Sequence, residues 1–244
     1  AVRRRRLRMT FGSLFTGIGG MDLGLERAGM RCVWQVEINP FCCQVLAKHW
    51  PNVSRWDDVA TFEPTQTTHG TDVICGGFPC QDISVASGSH GGDGLNGERS
   101  GLWFQMLRVI RQLRPRYAIV ENSPALAFRG LDRLLGGLAD LGYDAEWRVL
   151  SAAMFGLPHQ RRRLFVVAYP GGTRLERANP CILFNDYDPR PVERIPAPRT
   201  VRRRNGLPNY MDRIKSLGNA VVPHVAEWVG KQIISHAINT KGCT

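Results

Sequence analysis

Three short stretches hold residues whose types and spacing could do chemistry. The first is 72–84, Asp-Val-Ile-Cys-Gly-Gly-Phe-Pro-Cys-Gln-Asp-Ile-Ser. A free cysteine usually packs like a small hydrophobe, but Cys80 sits between a Gly-Gly-Phe-Pro turn and a polar, glycine-rich stretch that runs to Gly101. A cysteine at the mouth of a buried strand, at the root of a long loop, is a candidate nucleophile. The second is Thr16-Gly17-Ile18-Gly19-Gly20, a turn able to bring backbone N–H groups and a helix N-terminus up to a ligand. Twenty residues past Gly17 stands Glu37, at the spacing where a carboxylate receives ribose hydroxyls in nucleotide-binding folds. The third is Pro158-His159-Gln160-Arg161-Arg162-Arg163, a dense cationic cluster before an apolar run.

These residues need elements to position them. Residues 10–15 read as a first strand, and 21–28 as a helix closed by Gly29. A second strand spans 32–36 and ends in Glu37; a helix with Pro at its first turn spans 40–49. A short strand at 53–56 precedes Asp57-Asp58-Val59. Val73-Ile74-Cys75 suits a strand buried on both faces. In 102–113, Leu102, Met106, Val109, Ile110 and Leu113 share one helical face. A buried strand at 116–120 ends in Glu121-Asn122-Ser123, and 131–141 is a helix ended by Gly142. Strands follow at 147–153 and 164–168, too close together for a helix between them, so part of the sheet should be antiparallel. The alternation predicts an α/β fold, a doubly wound and mostly parallel sheet. From 170 to 210, prolines at 180, 189, 191, 196, 198 and 208 break any periodicity. A small irregular lobe or linker is expected there, then a final helix over 224–238. The domain reading is therefore a catalytic unit formed by 9–169 and 211–244, the small lobe, and a basic tail at 1–8 expected to be disordered.

The totals narrow the class. A chain of 244 residues holds one good core, with at most a small lobe beside it. No secretory segment and no run of 18 apolar residues is present. Seven scattered cysteines without a Cys-x-x-Cys pair argue against a disulfide framework and a structural zinc site, and fit a reducing cytoplasm. A net charge of +11 favours a polyanionic partner, nucleic acid first. Arg3, Arg4, Arg5, Arg6 and Arg8 precede Met9; without those five the charge is still +6.

Taken together the motifs resemble those of the DNA (cytosine-5)-methyltransferases. The matching residues, in order, are Phe15, Gly17, Gly19 and Gly20; Glu37; Pro79, Cys80 and Gln81; Glu121 and Asn122; Arg161 and Arg163; and Gly218, Asn219 and Ala220. The resemblance implies a Rossmann-like methyltransferase sheet that binds S-adenosylmethionine. Cys80 would add to carbon 6 of cytosine. Glu121, protonated and with a raised pKa, would relieve charge at ring nitrogen 3. Arg163, with Arg161 beside it, would hold the base carbonyl or a phosphate. Phe15 and Ile38 would flank the cofactor's adenine and Glu37 its ribose. Asp58 would approach the adenine amino group, and residues 17–20 the amino-acid end. Ile18, Val59, Pro79 and Leu102 would complete the site, with Asn219 and Ala220 closing it. Because a base inside a duplex is out of reach, the target would be flipped out, with residues 84–100 as a lid and Gln81, Ser84, Arg202 and Arg203 on the DNA.

The family's target-recognition domain usually lies between the arginine strand and Gly-Asn-Ala. Here that interval is short and proline-rich, which leaves room for a partner that supplies recognition. Two other readings compete with an enzyme acting on double-stranded DNA: the same chemistry on a structured RNA such as tRNA, and a catalytically silent nucleic-acid-binding module.

Overall fold

The structure, a computed structural model, describes residues 8–79, 101–171, 184 and 210–241. Seven strands form one sheet: β1 (Thr10–Leu14), β2 (Arg31–Val36), β3 (Ser54–Trp56), β4 (Val73–Gly76), β5 (Tyr117–Asn122), β6 (Tyr143–Ser151) and β7 (Arg162–Pro170). Their order is β3-β2-β1-β4-β5-β7-β6. The first five run parallel, while β7 is antiparallel to both β5 and β6. The strand order reverses between β1 and β4, and a doubly wound sheet opens its ligand crevice at that switch point, beyond the carboxyl ends of the strands.

Helices cover both faces because the central strands are apolar on both sides. On one face, α3 (Leu102–Leu113) and α4 (Leu131–Asp140) bury Met106, Val109, Ile110, Leu134 and Leu138 against Ile74, Ala118, Val120 and Val166. On the other, α1 (Gly20–Ala28) and α6 (Pro223–Lys241) bury Met21, Leu25, Val225, Val229 and Ile233 against Phe11, Cys75, Ile119 and Phe165. Helix α2 (Pro40–His49) starts where Asn39 Oδ1 accepts from the N–H groups of Phe41 and Cys42. Such a cap satisfies donors that would otherwise be orphaned at the helix start.

Several predicted boundaries move. The strand expected at 147–153 is β6 at Tyr143–Ser151, starting directly after the Gly142 turn. Glu121 and Asn122 lie within β5 rather than after it. A helix that periodicity did not single out, α5 (Tyr210–Asn219), leads into the Gly-Asn-Ala motif, and α6 extends past the expected 224–238. Within 172–209, Phe184 is buried (3% exposed), stacks on Trp228 at 5.9 Å between ring centroids, and accepts a hydrogen bond from Arg148 through its carbonyl.

Candidate active site

The chain leaves β1 through a strained turn. Phe15 has φ 53° and Gly17 φ 59°, both in the left-handed region; for a bulky residue such as Phe15 this is unusual. The turn is held to β2, since Thr16 donates to the Val36 carbonyl through both its N–H and its Oγ1 at 3.2 Å. No atom lies within 4 Å of where a Cβ on Gly17 would stand, so the turn backbone there borders open space.

Glu37 faces that space from the end of β2. Its carboxylate is buried and accepts the N–H of Gly17 at 2.6 Å and of Asn39 at 2.8 Å. It therefore ties the glycine turn to the start of α2, with lone pairs left on each oxygen. Ile38 next to it is 68% exposed, an apolar surface open to solvent.

A second acid stands on the far side. Glu121, 6% exposed, receives Nε of Arg163 at 2.9 Å from Oε1, an ion pair whose N–H is not aligned on the oxygen as in a hydrogen bond. Burial pushes the Glu121 carboxyl up to about 7, against the downward pull of the Arg163 and Arg161 guanidinium groups. Gly77, at the head of the turn toward Cys80, has room only for hydrogen: a Cβ there would stand 2.5 Å from Glu121 Oε2. Asn122 Nδ2 donates to the Phe78 carbonyl at 3.1 Å, fixing the same turn to β5.

A cavity of about 560 Å³ joins the two acids. Phe15, Gly17, Glu37, Ile38, Asp58 and Val59 line one part of it. Pro79, Leu102, Asn219 and Ala220 line it as well, with Glu121 and Arg163. Ile18, Gly19 and Gly20 do not; Gly19 packs on the Trp50 ring and Gly20 on the Val221 carbonyl. Arg161 does not line it either, and donates from Nη2 to the Ala220 carbonyl at 2.6 Å. Arg162 is exposed. Cys80, Gln81, Ser84, Arg202 and Arg203 lie outside the described residues, as does the rest of the proposed lid. Among the described residues, no group of His, Cys, Asp and Glu could hold a metal ion, and no helix is long and apolar enough to cross a membrane.

One buried network escaped the reading of the sequence. Asp22 in α1 is fully buried and accepts from Ser13 Oγ at 2.9 Å and Gln35 Nε2 at 2.9 Å, with Cys32 Sγ 3.6 Å away. Gln35 in turn accepts from Arg55. Burial raises the Asp22 carboxyl to about 6, and these donors offset part of the rise. Ser13 and Met21, which flank the glycine turn, also line the cavity. The available signal was a carboxylate beside Met21 on a helix whose inner face is otherwise apolar.

The residues fit an adenosine-type cofactor: a glycine turn facing open space, a carboxylate at ribose spacing, and apolar side chains on both sides. A doubly wound sheet with this antiparallel seventh strand, and such a cavity at its switch point, defines a Rossmann-like methyltransferase domain. Comparison with known proteins gives the narrower class. The profile of the C-5 cytosine-specific DNA methylases matches residues 9–201, and the chain belongs to that family.

It is 34% identical over 164 residues to the type II methyltransferase M2.BsuMI of Bacillus subtilis, covering 64% of this chain and 41% of that protein. To M.NgoFVII of Neisseria gonorrhoeae it is 29% identical over 212 residues, covering 85% and 52%. The chain thus spans about half the length of the curated relatives it matches. Among solved structures it resembles a DNA modification methyltransferase encoded within an Escherichia coli prophage, with TM-score 0.56 and 25% identity, covering 66% of this chain and 47% of that one. Spodoptera frugiperda DNMT2 shares the fold at TM-score 0.57 and 19% identity, over 71% and 53% of the two chains.

Proposed function

We propose that the protein transfers a methyl group from S-adenosylmethionine to carbon 5 of cytosine in DNA. The observation that carries this reading is Glu121: a buried carboxyl raised to about 7, paired with Arg163, on the wall of the cavity that also holds Glu37 and the glycine turn. An ordinary surface glutamate would be ionised and useless as an acid near neutrality. This one is poised to share a proton.

Cys80 follows Pro79 in the chain, and Pro79 lines the same cavity. Its thiolate adds to carbon 6 of the cytosine ring, which turns carbon 5 into an enamine-type nucleophile and splits one hard step into two easier ones. Glu121 supports the charge driven onto the ring by sharing its proton with nitrogen 3. Arg163, held against Glu121, presents the rest of its guanidinium to the base carbonyl. The cofactor, when bound, supplies an electrophilic methyl group. Glu37 and Asn219 bind and orient it, with Phe15 and Ile38 beside the adenine. Solvent water then takes the carbon 5 proton, Glu121 recovers the proton shared with nitrogen 3, and departure of the Cys80 thiolate restores the aromatic ring. None of this can reach a stacked base, so the cytosine must leave the helix.

The test is incubation with radiolabelled S-adenosylmethionine and duplex DNA, followed by base-resolution mapping of 5-methylcytosine, with structured RNA as competitor. Label on cytosine carbon 5 of DNA supports the reading. Label confined to RNA moves the substrate class, and cofactor binding without any transfer favours a silent binding module.

A further inference from the structure

Arg161 belongs to the cationic cluster before β7, yet unlike Arg163 it does not line the cavity. Its Nη2 donates to the Ala220 carbonyl at 2.6 Å, which ties it to the C-terminal segment. Its backbone is held at φ 28°, a conformation that costs energy for any residue with a Cβ and persists only where neighbours impose it. The Ala220 N–H is used too, donating to the Ser216 carbonyl at 2.8 Å. The same segment also meets Gly20, where a Cβ would lie 2.3 Å from the Val221 carbonyl. Residues 219–221 are therefore clamped between the glycine turn and Arg161. Asn219, Ala220 and Val221 all line the cavity.

We infer that Arg161 is a positioning residue for the cofactor: it braces the 219–221 segment against the glycine turn, and so acts on cofactor affinity rather than on DNA. This inference rests on the proposed function, because it takes the cavity to be the S-adenosylmethionine site. It divides the paired arginines between two tasks. Arg163 faces the base through Glu121, and Arg161 holds the wall that Asn219 presents to the cofactor. A charged donor to a half-buried carbonyl makes a stronger brace than a neutral one.

The experiment measures S-adenosylhomocysteine binding by calorimetry without DNA, and DNA binding separately by anisotropy. Arg161→Ala should weaken S-adenosylhomocysteine binding by about tenfold or more, as expected when a charge-assisted hydrogen bond is lost. Arg161→Lys, which keeps a charged donor, should recover part of the affinity. Arg162→Ala, at the exposed neighbour that does not line the cavity, should bind S-adenosylhomocysteine like the unaltered protein. If Arg161 works through the segment, its removal in an Asn219→Ala background should cost less than in the native background, since the two act as one unit. A merely destabilising change would not show that coupling. Should Arg161→Ala fail to fold, Arg161→Lys and Arg161→Gln carry the comparison, with lysine expected to bind the tighter of the two. Native affinity for S-adenosylhomocysteine in the Arg161 variants, or loss of DNA affinity alone, overturns the inference. Absence of S-adenosylhomocysteine binding by the unaltered protein overturns the proposed function itself.

Discussion

Glu121 and Arg163 are diagonal neighbours across the antiparallel pair β5 and β7: Glu121 pairs with Phe165, and Arg163 sits two residues along on the same face, its Nε 2.9 Å from Oε1. The diagonal of an antiparallel pair is within reach of long side chains. Had β7 run parallel, this register would not bring the arginine, second in its strand, beside a glutamate that nearly closes another.

The pairing does not hold Glu121 in its charged form, because burial outweighs the two guanidinium groups and the carboxyl rises from 4.5 to about 7. Folding therefore takes up a proton at this group between those values. Its contribution to stability is fully present below about pH 4.5 and is lost as pH rises through about 7. Glu121→Gln, which cannot ionise, should accordingly be more stable than the native protein at pH 8, by an amount on the order of 3 kcal/mol, with little difference near pH 4.5. Urea melts of both proteins at the two pH values check this. The same variant should lose methyl transfer by about 10²- to 10⁴-fold, the usual worth of a positioned acid. Equal stability at both pH values would place Glu121 in a more hydrated setting than its burial indicates.

Cys80→Ser should abolish methyl transfer while leaving S-adenosylhomocysteine affinity within a few-fold. The hydroxyl is a far weaker nucleophile at neutral pH, yet nearly the same size. Label transfer in a filter assay and calorimetry on the same preparation separate the two effects. Near-normal turnover would remove Cys80 from the mechanism.

Glu37→Ala should weaken S-adenosylmethionine binding by about 1.5–3 kcal/mol, the net worth of a hydrogen bond to a charged group. Part of the loss will come from the turn, because Glu37 also accepts the N–H groups of Gly17 and Asn39. Glu37→Gln retains a carbonyl acceptor for one of them and should fall between the native protein and Glu37→Ala. Unchanged binding in calorimetry would count against the whole cofactor placement.

The interval between β7 and α5 offers Arg199, Arg202, Arg203 and Arg204, chemistry better suited to phosphates than to base edges. A short or relaxed target site is expected, with affinity that falls steeply with salt. Methylation mapped on random-sequence DNA at two salt concentrations measures both. A long and strictly defined recognition sequence, read by this chain alone, would contradict it.

What could be read in advance was local. The glycine turn and the amphipathic α3 each show themselves within a dozen or so residues, and the Glu37 spacing within about twenty. Contacts between distant segments did not. Nothing in the neighbourhood of Arg161 points to the Ala220 carbonyl, and nothing near Asp22 points to Gln35. The start of β6 does carry a signal, since Tyr143 to Val149 alternate apolar and polar at the period of a strand, and the pairing with β7 accordingly begins at Tyr143. Helix α5 was lost to the prolines just before it. The raised carboxyl of Glu121 was expected from the resemblance alone; its physical cause, burial, appears only once the sheet is formed.

Because β7 runs against its neighbours, it ends at Pro170, away from the cavity, and among the described residues the chain next lines the cavity in α5, with Asn219. Between these two fixed points, Phe184 is fastened to Trp228 and Arg148. Material spliced between 185 and 209 would thus enter the chain between Phe184, held by β6 and α6, and the start of α5. Closing a longer loop costs only about 0.6 kcal/mol for each doubling of its length. This interval can therefore be lengthened or shortened at small cost while the walls of the cavity stay as they are.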